Sequence, residues 1–318
     1  MIKIRDKLID GAALAPMAGF TSSAFREVCK NLGAGLVVSE MISAKALCFG
    51  DKKTENLIKY SESERPYALQ LFGCEKESMS RAAELLCRYN PDFIDINMGC
   101  PVPKIAGNGC GSAMLLDPDN AQRVVEAVCR SSSCPVSVKI RIGWDSEHIC
   151  APEFAKKMQN AGAELICVHG RTREQMYKPG VNLDAIRDVK QAVDIPVIAN
   201  GDIDSRETAQ RVMEYTGADG VMIGRGALGD PFIFRSLRYP ELGEPSFSER
   251  MENLKLLCRL EIQNKGERLA MLELRRHLPY FFKGMRESAR LRSMSTAVCS
   301  FDDVLRIIDL ANNQSEVV

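Results

Sequence analysis

Asp95-Ile-Asn-Met-Gly-Cys-Pro101 ends an apolar run on an amide, a glycine and a thiol, and a loop carrying Lys104, Gly107 and Gly109 leads on to Gly111. That composition is how a strand delivers reactive side chains to the rim of a sheet. It is equally the composition of a plain turn with a small buried cysteine, so this segment alone leaves both readings open. Two further residues sharpen the choice. Lys139 interrupts the apolar run Val136-Ser-Val-Lys-Ile-Arg-Ile142, and burying it without a negative partner would cost several kcal/mol. An anionic group facing it is therefore expected. His169, one of three histidines, ends another apolar run.

The elements that position these residues follow from periodicity. Apolar runs occur at 12–15, 36–39, 67–72, 93–97, 136–141, 165–169, 197–200 and 220–224. Helical spacing lies between them at 22–31, 76–88, 119–130, 151–160, 183–192 and 205–215, while 44–63 is less clear. Strands alternating with helices pair in parallel through right-handed crossovers, and eight such units predict a closed (β/α)8 TIM barrel. In such a barrel the strand ends share one mouth. Here they carry Pro16, Met17, Glu40, Gln70, Asn97, Cys100, Lys139, Arg141, His169, Arg171, Asn200, Gly201, Asp202, Gly224 and Arg225. A nearly complete ring of polar and glycine endings is hard to obtain from turn chemistry alone. The glycines and amides after strands seven and eight, with Arg225, predict a phosphorylated cofactor. A phosphorylated flavin also offers Lys139 a partner, the electron-rich N1/C2 edge of its ring.

After Pro231 the pattern becomes helical only. A catalytic barrel over 1–240 and a small helical bundle over 241–318 are expected. Ser246 and Glu249 form a capping box before Met251, and further helices are predicted at 268–285, 288–293 and 301–311, with a frayed tail from 312. Between Lys265 and Arg292 eight basic residues face three acidic ones, a net of +5, with Tyr280, Phe281 and Phe282 interleaved. This is either a solvated face with core aromatics or an RNA surface.

Composition sets the outer bounds. Forty-two basic and 42 acidic residues cancel, so any nucleic-acid surface must be a local patch. Twelve cysteines without metal-type spacing suit a reducing compartment, and no metal site is expected. The N-terminal segment has no signal-type apolar run, and no stretch reaches membrane-spanning length, which predicts a soluble cytoplasmic protein. A monomer is expected.

With these residues in view the chain resembles the dihydrouridine synthases, flavin enzymes that reduce uridine in transfer RNA, and within them the bacterial DusB-like branch. The matching segments are Ala15-Pro-Met-Ala-Gly19, Val38-Ser-Glu-Met41, Asp95 to Pro101, Gly111-Ser-Ala-Met-Leu115, Val138-Lys-Ile-Arg141, Val168-His-Gly-Arg-Thr172, Ile195 to Asp202, Gly217 to Arg225 and, in the helical part, Arg275 to Gly284. The resemblance implies FMN held by Pro16, Met17, Gln70, Lys139, His169, Asn200, Gly201, Asp202, Gly224 and Arg225, with NADPH or NADH as reductant. It implies hydride transfer from flavin N5 to uracil C6 and protonation of C5 by Cys100. Asn97, Arg141 and Arg171 would hold the uracil, and Arg275 and Lys283 the RNA. A thiol with a pKa of about 8.5 is protonated at neutral pH and serves as an acid.

Cys110 lies in the same loop as Cys100 and is the other candidate for the acid. Two competing functions are a flavin barrel acting on a free pyrimidine or enone, similar to dihydroorotate dehydrogenases, and a non-catalytic RNA-binding protein. The basic helical part argues against the first, the intact mouth against the second. Ribosomal RNA is not excluded as substrate.

Overall fold

In the computed structural model, which describes residues 1–315, eight parallel strands close into a barrel. They are β1 (Ala13–Leu14), β2 (Leu36–Val38), β3 (Tyr67–Phe72), β4 (Phe93–Met98), β5 (Val136–Arg141), β6 (Leu165–His169), β7 (Val197–Asn200) and β8 (Gly220–Ile223). Each of the eight predicted apolar runs is one of these strands. Closure is made where Met222 of β8 pairs with Ala13 of β1, and Ala13 with Leu36 of β2.

Two-residue alternation sorts the side chains. Ile94, Ile96 and Met98 of β4 pack outward against the helices, as do Val136, Val138 and Ile140 of β5. Phe93 joins a separate inner cluster with Ala68, Leu165, Cys167, Ile198 and Met222. The inward positions nearer the strand ends are polar. Helices Ser23–Asn31, Lys76–Cys87, Pro118–Ser131, Ala151–Asn160, Leu183–Ala192 and Arg206–Thr216 form the outer ring. Several start on side-chain caps, with Ser22, Asp117, Asn182 and Ser205 each accepting a backbone N–H of the first turn.

The structure departs from the sequence expectations in five places. An antiparallel hairpin, Ile2–Ile4 with Lys7–Ile9, precedes the barrel, and its Ile2, Ile4 and Ile9 join the inner cluster. Each strand is only three residues long, too short to register as a period. The unclear stretch after β2 holds a two-residue strand, Ile42–Ser43, and helices Ala44–Cys48 and Lys52–Ile58. The loop expected from Pro103 to Gly111 opens in a helical turn, Pro103–Ala106, because Pro103 at its first position has no N–H to lose. The helix expected over 268–285 is two, Glu267–Leu274 and Leu278–Phe281, the second with Pro279 in its first turn. The expected fraying from Asn312 is not seen through Ser315, which helix Phe301–Ser315 includes, and residues 316–318 lie outside the described residues.

Helix Phe247–Lys265 starts on the Ser246/Glu249 capping box and packs on Ser23–Asn31. Ser22 Oγ donates to the buried Glu261 of that helix. Farther on, buried His277 bonds Phe20 O through Nε2 at 3.0 Å, and its ring packs on Phe20 and Phe25. Gly229, just beyond β8, leaves no room for a side chain: a Cβ there would lie 2.3 Å from the Tyr280 backbone. The helical part thus rests on the loops after β1 and β8, at the edge of the mouth.

Candidate active site

Strand register brings the polar inward residues side by side. Gln70 pairs with Asp95, Asn97 with Lys139, Arg141 with His169, and His169 with Asn200. Residues scattered from 70 to 200 in sequence are therefore neighbours around one arc of the mouth.

The lower layer is a buried relay. Asp95 accepts from Gln70 Nε2 at 2.6 Å and from Ser137 Oγ at 2.6 Å. A carboxylate only accepts, so the Gln70 amide must turn its nitrogen to Asp95 and its oxygen to Asn97. Asn97 Nδ2 accordingly donates to Gln70 Oε1 at 2.8 Å, and Asn97 Oδ1 accepts from Cys100 N at 2.9 Å and Gly99 N at 3.2 Å. The orientation of the Cys100 loop is fixed in this way from the barrel interior. Burial raises Asp95 to about 6, against the stabilising bonds from Gln70 and Ser137.

Above it lies a cluster of cations. Lys139 Nζ donates to Asn200 Oδ1 at 2.9 Å, and Asn200 Nδ2 donates to Met222 O at 2.8 Å. Burial lowers the Lys139 ammonium, with Arg141 nearby adding to the effect. Arg141, 2% exposed, donates to Gly99 O, Thr172 O and Met176 O at 2.8 to 2.9 Å, and burial lowers it to about 10. Arg171, 1% exposed, bonds Lys178 O at 2.6 Å and pairs with Asp202, while its Nη1 stands 3.3 Å from His169 Nε2. Asp202 also takes Arg225 Nη2 at 3.2 Å. His169 is pushed well below its ordinary value by burial first, then by Lys139, Arg141, Arg171 and Arg225, so it is neutral at pH 7.

The exits of β7, β8 and β1 complete the wall. Gly201 has φ +126°, and a Cβ there would stand 2.9 Å from Val181 and 3.1 Å from His169, so only glycine fits. Asp202 follows, also in the left-handed region at φ 49°. Gly224 lies opposite Met17, whose sulfur would be 3.6 Å from a Cβ on that glycine. Ala15 N bonds Ile223 O at 2.8 Å, which sets Pro16 and Met17, both half-buried, against the end of β8.

This wall suits an anionic, phosphorylated ring system. Lys139 is a half-buried cation whose hydrogen bond goes to a neutral amide oxygen, and four cations crowd one neutral imidazole with Asp202 as the contacting carboxylate.

Cys100 is half-buried, and desolvation raises its thiol, which keeps it protonated at neutral pH. Cys110 is 8% exposed and donates to Asn108 O at 3.5 Å. Gly111 then presses on Cys100: a Cβ there would meet Cys100 O at 2.8 Å. Ser112 N and Oγ both donate to that carbonyl, at 3.1 and 2.9 Å.

The two RNA-contact candidates separate. Lys283 is exposed, whereas Arg275 is half-buried and spends Nε on Val298 O at 2.9 Å and Nη2 on Cys299 Sγ at 3.3 Å. Phe281 and Phe282 are core residues, and Tyr280 is 40% exposed.

Sequence reasoning gave no role to Asp95, Ser137 or Tyr177. The first two look like strand filler until register places them below Asn97. Tyr177, 52% exposed, packs its ring against the guanidiniums of both Arg141 and Arg225, at 5.6 and 5.4 Å. A lone aromatic in the polar loop after β6 was the available signal.

Comparison with known proteins agrees with this geometry. The barrel is similar to that of morphinone reductase, solved in complex with tetrahydroNAD, with a TM-score of 0.55 at 15% identity over 75% of this chain and 89% of that one. Sequence similarity is closer to the tRNA-dihydrouridine synthase B of Pasteurella multocida, 36% identical over 90% of this chain and 87% of that protein. The tRNA-dihydrouridine synthase B of Vibrio vulnificus is 37% identical over 93% and 92%. The family model described as dihydrouridine synthase (Dus) matches residues 13–315, and the chain belongs to the dihydrouridine synthase family.

Proposed function

We propose that this enzyme reduces particular uridines of transfer RNA to 5,6-dihydrouridine, with FMN at the barrel mouth and NADPH or NADH as the source of electrons. The observation that carries the reading is the juxtaposition of a half-buried Lys139, whose hydrogen bond goes to an amide oxygen, with a protonated Cys100 held on the adjoining strand end. Membership of the family, and relatives named for tRNA, support the choice of substrate.

FMN, when bound, supplies a hydride for uracil C6. Lys139, His169, Asn200, Gly201, Asp202, Gly224, Arg225, Pro16 and Met17 form the wall that would hold it, and Gln70, fully buried with its amide committed to Asp95 and Asn97, supports that wall from beneath. Lys139 is the cation that would stabilise negative charge on that group. Asn97, with one amide hydrogen committed to Gln70, keeps the other for the uracil edge. Arg141 sits where charge builds on the pyrimidine carbonyl as hydride arrives, and its field stabilises that charge. Cys100 delivers the proton to C5, and its desolvated thiol holds that proton until it is needed. Arg171 acts from below by fixing Asp202 and His169.

The uridine must leave the base stack, which costs a few kcal/mol and calls for RNA contacts outside the pocket. Exposed Arg268, Arg276, Lys283, Arg286 and Arg292 on the helical part offer them. The enzyme works in this reading as a cytoplasmic monomer.

The test is mass mapping of dihydrouridine in transfer and ribosomal RNA from cells lacking the protein. A site lost from tRNA and restored by the gene is expected. Loss confined to ribosomal RNA would move the substrate, and an unchanged map would overturn the reading.

A further inference from the structure

The loop that carries Cys100 meets a second thiol on the neighbouring wall. Cys74, just beyond β3, donates through Sγ to Asn108 O at 3.4 Å, and Cys110 donates to that same oxygen at 3.5 Å. Two sulfurs that share one acceptor are neighbours in space. They also sense each other: burial first, then Cys74, raises the Cys110 thiol. Cys74 is half-buried and Cys110 is 8% exposed, so an oxidant in solvent reaches Cys74 first.

We propose that Cys74 and Cys110 are an oxidative modification site, at which a reversible disulfide ties the Cys100 loop to the wall at β3 and stops turnover. The chemistry balances with a hydroperoxide as oxidant. Cys74, deprotonated, attacks the peroxide; an S–O bond forms, the O–O bond breaks, and the leaving oxygen takes up a proton as alcohol or water. The sulfur has lost two electrons to the peroxide and is a sulfenic acid. Cys110 then attacks that sulfur, the S–S bond forms, and the S–O bond breaks to release water with the Cys110 proton. A thiol reductant returns both cysteines.

The position of the pair gives the bond its effect. Cys110 N is held by Ile105 O at 3.3 Å, Gly111 presses on Cys100, and Ser112 grips the Cys100 carbonyl twice. On the other side Cys74 O accepts from Asn120 Nδ2 at 2.9 Å, at the start of helix Pro118–Ser131. A covalent link across this gap removes the freedom of the loop to part from β3 and admit a base. The effect on turnover rests on the function proposed above; formation of the bond does not.

The full-length protein, loaded with flavin, is exposed to hydrogen peroxide, its remaining thiols are alkylated, and its peptides are mapped by mass. A Cys74–Cys110 linked peptide is expected, with a fall in dihydrouridine formation of at least about tenfold that dithiothreitol reverses. Cys74→Ser, or Cys74→Ala, keeps the basal rate, gives no linked peptide and resists the same exposure. Recovery of both cysteines as alkylated thiols would overturn the site, as would a linked peptide with an undiminished rate, or a reversible loss that persists in Cys74→Ser. Should the reduced enzyme form no dihydrouridine at all, the function falls, and the peptide map alone decides whether the bond forms.

Discussion

Asn97 Nδ2 donates to Gln70 Oε1 at 2.8 Å, and through that one bond the buried carboxylate of Asp95 is coupled to the backbone of Cys100. Gln70→Leu keeps the volume but leaves one oxygen of Asp95, whose other oxygen keeps Ser137, and the Asn97 amide hydrogen without partners. Leaving buried groups unpaired costs about 1–3 kcal/mol each. Urea unfolding should therefore show a loss of about 2–4 kcal/mol, and turnover should drop because Asn97 no longer holds the Cys100 loop. An unchanged midpoint with unchanged turnover would show that the relay orients nothing.

Cys100→Ala should lower dihydrouridine formation by about 100-fold or more, the usual worth of a positioned acid, while the purified protein keeps its flavin absorbance. Cys110→Ala should retain activity, because its thiol faces Asn108 O. Loss in the second variant with activity in the first would reassign the acid.

What the sequence revealed and what it hid divide along physical lines. The barrel was legible because β3 to β8 are buried on both faces, and their apolar runs stand out between capped helices. Lys139 was legible because a cation inside such a run demands an explanation. Partners were not, because register is a property of pairing: nothing local in Asp95 or Ser137 says that they meet beneath Asn97. The first hairpin stayed hidden for a related reason. Its three isoleucines are buried in a cluster whose other members, among them Phe93, Leu165 and Met222, come from distant strands. Arg275 and Lys283 read alike because a charge run does not say which of its members bond the chain itself.

Lys139→Met should move stability and function in opposite directions. The ammonium is held below its ordinary value by burial and bonds a neutral oxygen, so an apolar replacement of similar length removes a desolvation cost. The flavin-free protein should melt at the same temperature or higher, and flavin should bind at least about tenfold more weakly, equivalent to about 1.4 kcal/mol. Weaker binding together with a markedly lower melting temperature would mean that Lys139 is structural.

His277 gives the helical docking an acid limit. Burial lowers its pKa to about 4, opposed by the bond to Phe20 O, and its Nδ1 has no hydrogen-bond partner among the described residues. The unfolded chain takes up the proton near pH 6.5 and the folded one only near pH 4, so the unfolded state binds more protons between these values. Stability is then complete above pH 6.5 and falls as the pH drops toward 4, by up to about 3 kcal/mol. His277→Gln should flatten that limb in urea unfolding at pH 4.5 to 7, even if its plateau is lower. A limb of the same slope in the variant would assign the acid loss to other groups.

Lys283 and Arg275 both lie in the basic stretch of the helical part, yet their surroundings predict different defects. Lys283 is exposed, so its charge is free to displace a counterion from a phosphate. Arg275 is held by Val298 O and Cys299 Sγ, and its removal leaves a carbonyl of the 296–300 turn unsatisfied. Each phosphate contact steepens the fall of log K with log salt by about 0.7 to 0.9. Lys283→Ala should therefore shallow the slope for tRNA by about one and leave the melting temperature unchanged. Arg275→Ala should leave the slope nearly intact and lower the melting temperature, at a cost of about 1–2 kcal/mol. Filter binding across a salt series and a thermal melt on each variant separate the two. Equal slopes for Lys283→Ala and the parent would remove this face from the RNA surface, and a shallower slope for Arg275→Ala at full stability would show that RNA draws that side chain out of its bonds.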